Sequence, residues 1–318
     1  MKVSVIIPVF NEEESIPVLY DQLRTVLDRE PWEGELIMVD DGSSDRSAAV
    51  IADIAKEDPR VRLVEFARNF GQTAAILAGI DHATGDVLIP MDADLQNDPE
   101  DIPRLLAKLD EGYDVVSGWR KDRQDRLWSR RIPSMLANRL ISRWTGVSLN
   151  DYGCTLKAYR ATSLKGEQLY GEMHRFIPIY ASWRGGRITE IVVNHRAREF
   201  GESKYGLGRT FKVLLDLITV KFLSGYTTKP AYLFGGLGLS IIGLGALLAL
   251  GAVIEFLTIN QSQHKLTIMV LATFFVTNGV MLLCIGLLAE LVVRIYHGQG
   301  TRKTYVLAEE IRPEHPGS

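Results

Sequence analysis

Two stretches of this chain carry no charged residue, one between Lys229 and Glu255 and the other between Lys265 and Glu290. Each exceeds the ~20 apolar residues that cross a bilayer as a helix. Two transmembrane helices are therefore expected at about 231–256 and 266–291, in preference to a buried hairpin of a soluble fold. The link from Leu257 to Lys265 is short and polar. The glycines of Gly235-Gly236-Leu237-Gly238 and Gly243-Leu244-Gly245 are tolerated in membrane helices and allow close helix packing, with other subunits among the partners they could meet. Cationic residues gather before the first span (Arg209, Lys212, Lys221, Lys229) and after the second (Arg294, Arg302, Lys303). The positive-inside rule then puts both termini in the cytoplasm. Neither span has an internal ionisable residue, which argues against a transport pathway. Met1-Lys2-Val3-Ser4-Val5-Ile6 enters a strand directly, so no signal peptide is expected. Cys154 lies before the spans and Cys284 inside the second, so no disulfide is expected.

Residues 1–229 read differently, as a charge-rich alternation of strands and helices that implies a largely parallel sheet. Val3–Pro8 is the first strand, and Asn11 is placed to cap the helix that follows, with Glu14 at the capping-box position. Leu36–Val39 is a second strand ending in Asp40-Asp41-Gly42-Ser43-Ser44-Asp45, where Ser44 or Asp45 can cap the next helix. Val61–Glu65 follows, then the loop Ala67–Gly71, the helix Thr73–Ala83, the strand Val87–Met91 and a fifth strand, Val115–Ser117, ending at Arg120. The net charge is −3. Nothing resembles the basic patch of a nucleic-acid binder.

Asp92-Ala93-Asp94-Leu95-Gln96 follows the fourth strand and precedes Asn97-Asp98-Pro99-Glu100, a helix-start signature. Two carboxylates therefore emerge where open α/β sheets bind ligands. A hard cation, Mg²⁺ or Mn²⁺, takes a few protein oxygens and completes its shell with phosphate and water. Asp94 and the Gln96 amide oxygen are placed to supply those oxygens, while Asp92 faces a sugar or ribose. The six histidines show no metal-ligand spacing, and His195 is read as structural.

Two further segments bridge the sheet and the spans. Arg123–Trp144 is basic and helical in pattern. Residues 209–226 align Phe211, Leu214, Leu215, Ile218 and Phe222 along one apolar stripe, as in a helix lying in the membrane interface.

Ile6-Ile7-Pro8-Val9-Phe10-Asn11-Glu12, Val39-Asp40-Asp41-Gly42-Ser43, Asp92-Ala93-Asp94-Leu95-Gln96 and Ser203-Lys204-Tyr205, in this order, resemble the family 2 inverting glycosyltransferases. The layout is most similar to the polyisoprenyl-phosphate glycosyltransferases. The resemblance implies an α/β GT-A, Rossmann-like nucleotide-sugar domain, then interfacial amphipathic helices and two transmembrane helices. The expected division is residues 1–208 for the cytoplasmic catalytic domain, 209–229 for the juxtamembrane helix, 230–293 for the spans and 294–318 for a cytoplasmic tail. Pro8, Phe10, Glu12, Val39 and Asp41 would line base and ribose, with Phe10 standing where mannose synthases usually have Tyr. Asp92 and Ala93 would touch the nucleotide, and Asp94 and Gln96 would hold the metal. Arg120, Arg198 and Lys204 would bind phosphates of donor or acceptor. Arg131 and Ser134 resemble acceptor-phosphate contacts. Asp151 is placed to orient acceptor or sugar, with no stronger assignment.

The implied reaction moves a hexose from a nucleotide-sugar to polyisoprenyl phosphate at the cytoplasmic face of the inner membrane. UDP-glucose is the expected donor, with GDP-mannose the alternative. A lipid monophosphate has its second pKa near ~6 and is already a competent nucleophile, so no Ser-His-Asp device is needed. A processive polysaccharide synthase is disfavoured because Gln-x-x-Arg-Trp is missing and two spans cannot form a polymer channel. An inactive membrane scaffold is disfavoured by the intact Asp-Ala-Asp-Leu-Gln.

Overall fold

In the computed structural model the chain divides into two compact units, Met1–Lys221 and Phe222–Ser318. The structure describes residues 1–121, 132–164, 173–196, 230–258 and 265–298. The expected interfacial helix at 209–226, with Arg131, Arg198 and Lys204, lies outside those residues.

The first unit is built on a seven-stranded sheet in the order β3-β2-β1-β4-β6-β5-β7. Its strands are β1 (Lys2–Val9), β2 (Glu33–Asp40), β3 (Val61–Glu65), β4 (Val87–Pro90), β5 (Val115–Trp119), β6 (Lys157–Arg160) and β7 (Ile188–Val192). Val3, Val5, Ile6 and Ile7 of β1 are fully buried, as an apolar run covered on both faces requires. All pairs are parallel except those of β6, which runs antiparallel to both β4 and β5. The sheet is therefore mixed, a refinement of the largely parallel sheet expected from the alternation.

The helices are α1 (Ser15–Arg29), α2 (Ser47–Glu57), α3 (Gln72–His82), α4 (Ile102–Asp110), α5 (Ile132–Thr145) and α6 (Ile177–Trp183). Helix α1 buries Ile16, Leu19, Leu23, Val26 and Leu27, and α4 buries Ile102, Leu105, Leu106 and Leu109, each a stripe of helical period. The helix-start signature at Asn97–Glu100 holds: the Asp98 side chain accepts from Glu100 N at 3.1 Å, with Pro99 next in sequence. The Asn11 cap does not. Helix α1 starts at Ser15, and Asn11 instead adopts φ 54° in a turn. Asn tolerates this left-handed conformation better than most residues. Of the two caps expected for α2, Asp45 accepts from Ser47 N at 2.9 Å while Ser44 bonds Asn11 instead.

The second unit contains α7 (Pro230–Thr258) and α8 (Lys265–Gly298), whose segments Pro230–Leu257 and Leu266–Val292 are long and apolar enough to cross a membrane. Leu239, Leu247, Phe256 and Leu287 are each more than 60% exposed, so this apolar surface is not covered by a soluble core. Ser240, Thr273 and Thr277 return their hydroxyls to carbonyls one turn back, as polar groups in an apolar setting must. The two helices meet through small residues. A Cβ on Gly238 would lie 2.7 Å from the Gly279 carbonyl, whereas Gly236 and Gly243 have nothing within 4 Å. The small-residue face at Gly238 thus serves packing within the chain. Cys154 and Cys284 are free thiols.

Candidate active site

The parallel strands β1, β2, β4, β5 and β7 all end at one edge, and antiparallel β6 begins there. The chain order reverses at β1, which has β2 on one side and β4 on the other. Such a switch point opens a crevice beyond the strand ends. It collects Pro8 near the end of β1 with Phe10 and Glu12 beyond it, Asp40 at the end of β2 with Asp41 beyond it, Asp92–Gln96 after β4, Arg120 after β5 and Thr155 before β6.

The first two motifs are stitched together. Asn11 N donates to Ser43 Oγ at 2.9 Å, and Asn11 Oδ1 accepts from Ser44 N at 2.8 Å. Glu12 N donates to Ser47 Oγ at 2.9 Å and Arg46 N to Glu13 Oε2 at 2.8 Å. Gly42, at φ 67°, passes so close to the next loop that a Cβ would meet the Arg68 and Asn69 backbone at 2.4–2.7 Å. Pro8, Phe10 and Glu12 remain partly exposed at the rim, while Val39 is buried at the end of its strand.

Asp41 is held by the loop that follows β3. It is 3% exposed, and its carboxylate accepts from Asn69 Nδ2, Phe70 N and Gly71 N at 2.7–2.9 Å. Burial raises its pKa, and the Phe70 and Gly71 amides pull the other way. Its visible role is to fix the 69–71 loop. The sequence reads Ala67–Gly71 as a loop before the helix but does not show that Asp41 ties it down.

Between residues 91 and 97 burial alternates. Ala93 and Leu95 enter the core, whereas Asp92, Asp94 and Gln96 share the open side. Leu95 has φ 61° and is 2% exposed. A non-glycine residue held in that region costs on the order of 1–3 kcal/mol, which its buried side chain offsets. Asp92 is clamped, Oδ1 accepting from Gln72 Nε2 and Oδ2 from Thr155 Oγ1, each at 2.7 Å. Asp94 Oδ1 accepts from Gln96 N at 3.2 Å.

Asp94 and Gln96 together offer oxygen donors only, and among the described residues no group of three or more His, Cys, Asp or Glu side chains forms a closed metal cage. That donor set fits a hard divalent cation that keeps positions open for phosphate and water.

Behind this loop the chain is tied to the end of β7. Asn97 bridges His195, Arg196 N donates to Gln96 O at 2.9 Å, and the Arg196 guanidinium meets Asp98 at 2.7 Å and Gln22 at 3.0 Å. The backbone of His195 is thus part of this tie. Arg196, unremarked in the sequence, anchors the candidate metal-binding turn.

Arg120 is engaged within the protein. Its Nε and Nη2 donate to Asp151 at 2.7 and 3.0 Å, and both side chains are largely buried. In this bidentate pair Asp151 holds Arg120. Ser134 lies in α5.

Residues 4–166 match the family described as Glycosyl transferase family 2, just over half the chain. The chain belongs to that family. This glycosyltransferase is 41% identical over 316 residues to dodecaprenyl-phosphate galacturonate synthase of Rhizobium johnstonii, covering 97% of this chain and 93% of that protein. Its fold is also that of glucosyl-3-phosphoglycerate synthase from Mycobacterium tuberculosis. The complex of that enzyme with Mn²⁺, UDP and phosphoglyceric acid matches with a TM-score of 0.55 at 19% identity, over 69% of this chain and 78% of that one. The complex with Mn²⁺ and UDP-glucose gives 0.52 at 21% identity, over 69% and 78%. As a family 2 glycosyltransferase, the chain carries the GT-A sheet expected from its motifs.

Proposed function

We propose that this glycosyltransferase moves a sugar from a nucleoside diphosphate donor to a polyprenyl phosphate at the cytoplasmic face of a membrane, with inversion at the anomeric carbon. The observation that carries this reading is the 41% identity over 97% of the chain, both candidate spans included, to a relative named for a dodecaprenyl-phosphate product. The layout fits the solubility problem of such a reaction, a water-soluble donor and an acceptor whose tail stays in the bilayer. Two membrane helices with both termini cytoplasmic would hold the catalytic unit beside the headgroups.

The acceptor phosphate oxygen forms a bond to the anomeric carbon as the bond to the donor diphosphate breaks, and that electron pair leaves with the nucleotide. At neutral pH the phosphate needs no base. Asp94 and Gln96 would hold Mg²⁺ or Mn²⁺, and the bound ion would supply charge neutralisation for a diphosphate leaving group. Asp92, clamped by Gln72 and Thr155, orients the donor. Phe10, Glu12 and the loops fixed by Asn11 and Asp41 would form the nucleotide side. Arg198, Lys204, Arg131 and Ser134 are proposed for the acceptor phosphate. UDP is the nucleotide favoured here, supported by the complexes of the enzyme with similar fold. Glucose is the sugar read from the sequence. A second reading, an acidic hexose, is favoured by the relative's name.

The test uses the full chain in detergent with undecaprenyl phosphate, Mn²⁺ or Mg²⁺, and radiolabelled UDP-glucose, UDP-galacturonate or GDP-mannose. Label should pass into organic solvent only with metal present. Asp94→Ala should lower kcat by at least ~100-fold, the scale of losing transition-state charge stabilisation. Near-wild-type turnover in a folded Asp94→Ala protein would sink the metal assignment.

A further inference from the structure

The turn that carries Asp94 and Gln96 does not hold its shape unaided. Leu95 lies between them at φ 61°, a conformation that a non-glycine residue keeps only where its surroundings fix it. Inside the turn, Asp94 Oδ1 accepts from Gln96 N at 3.2 Å and the Leu95 side chain is buried. Further support comes from much later in the chain.

Three consecutive residues beyond β7 are strapped across the turn and the start of α4. Asn194 N donates to Asp101 Oδ2 at 2.7 Å, and its Nδ2 to Asp98 Oδ2 at 3.4 Å. Asn97 bridges His195 in antiparallel fashion, and Arg196 N donates to Gln96 O at 2.9 Å. The Arg196 guanidinium then spans two partners, Asp98 Oδ1 at 2.7 Å and Gln22 Oε1 of α1 at 3.0 Å. Arg196 thus grips the turn at the Gln96 main chain and again at Asp98. The Gln96 backbone carbonyl is taken by this strap, while its side chain lies on the open side with Asp94.

Groups that orient metal ligands without touching the ion set much of a site's affinity. A guanidinium beside a cation site would by itself repel the ion, but Asp98 supplies the opposite charge. Arg196 can therefore serve the site by geometry.

We propose that Arg196 is a positioning residue for the divalent cation, holding the Asp94–Gln96 turn in its metal-binding shape from the end of β7. The inference rests on the metal-site reading above and adds a residue outside the donor set on which ion affinity depends.

The test titrates Mn²⁺ alone into the full chain in detergent and reads the bound ion from loss of the free-ion EPR signal. Asp94→Ala defines the binding that belongs to this site. The double change Arg196→Met, Asp98→Asn removes the pair together, so net charge beside the site is unchanged and an acceptor for Glu100 N remains. It should bind Mn²⁺ about 10–100-fold more weakly, the usual worth of a residue that supports metal ligands. Arg196→Lys keeps the charge but loses the fork that spans Asp98 and Gln22, and should show a smaller loss. This milder variant carries the test if the double one fails to fold. Wild-type Mn²⁺ affinity in both variants would overturn the proposal. A lower melting temperature with affinity kept would do the same, leaving Arg196 a structural residue only. If Asp94→Ala binds Mn²⁺ as the wild type does, the metal-site reading fails and the proposal with it. That result is distinct from one in which only the Arg196 variants are unaffected.

Discussion

The two halves of the catalytic edge are held by different physics. On the side of β1, β2 and the 69–71 loop, short polar side chains bond neighbouring backbone: Ser43 to Asn11, Asn11 to residue 44, Ser47 to Glu12, Asp41 to residues 70 and 71. On the side of β5 and β6, the frame is a buried ion pair, Arg120–Asp151, and a buried lysine. Many modest hydrogen bonds make the first half tolerant, since each contributes about 1 kcal/mol. The second concentrates its stability in few charges, each destructive when left alone.

Removing Asp151 is the strongest way to break that contrast. Asp151→Ala strands the buried Arg120 charge and should cost about 3–5 kcal/mol, seen as a large drop in the melting temperature of the full chain in detergent. The double change Arg120→Met, Asp151→Leu should recover most of it, because a buried pair replaced by apolar groups is often neutral. If the double variant is no better than the single, the cost belongs to loop geometry and not to charge.

Asn11→Ala should be milder. It removes the acceptor for Ser44 N and puts alanine at φ 54°, together about 1–2 kcal/mol. The KM for the donor should rise more than kcat falls, since the turn borders the expected nucleotide side. A loss of stability equal to that of Asp151→Ala would erase the distinction between the halves.

A pH response confined to the charged half sharpens the contrast further. Lys157 titrates near 8 in the folded chain, against an ordinary value of 10.5. Between those values the unfolded chain binds more protons, so this residue makes stability rise with pH. Burial raises the Cys154, Tyr152 and Tyr159 values, which works in the opposite direction at alkaline pH. The difference between wild type and Lys157→Met isolates the lysine: melting temperatures measured from pH 7 to 10 should show a more positive slope for the wild type. Parallel curves would mean that Lys157 is not held in its depressed state.

Legibility in the sequence follows the same division. The Asp98-Pro99 helix start was visible because a cap is a local pattern. Asp92 to Gln96 stood out because an apolar strand runs straight into them. Asn11 was read as a cap, since Asn before a helical run satisfies that pattern as well as it satisfies a left-handed turn. The partner that decides between them, Ser44, is 33 residues away. Strands β6 and β7 went unread. They are four and five residues long, and β6 carries Lys157 and Arg160, charges that argue against a central strand.

The sequence alone determined that apolar helices follow an α/β domain, because hydropathy and strand–helix alternation are summed over many residues. It also determined that carboxylates crown the fourth strand, and it carried the family motifs. Only the tertiary structure decided that Asp41 serves its neighbouring loop, that Asp151 holds Arg120, that Arg196 anchors the turn of Asp94 and Gln96, and that Lys157 is buried beside Arg175. A charge's role is set by what surrounds it after folding, and those surroundings come from strands far apart in the chain.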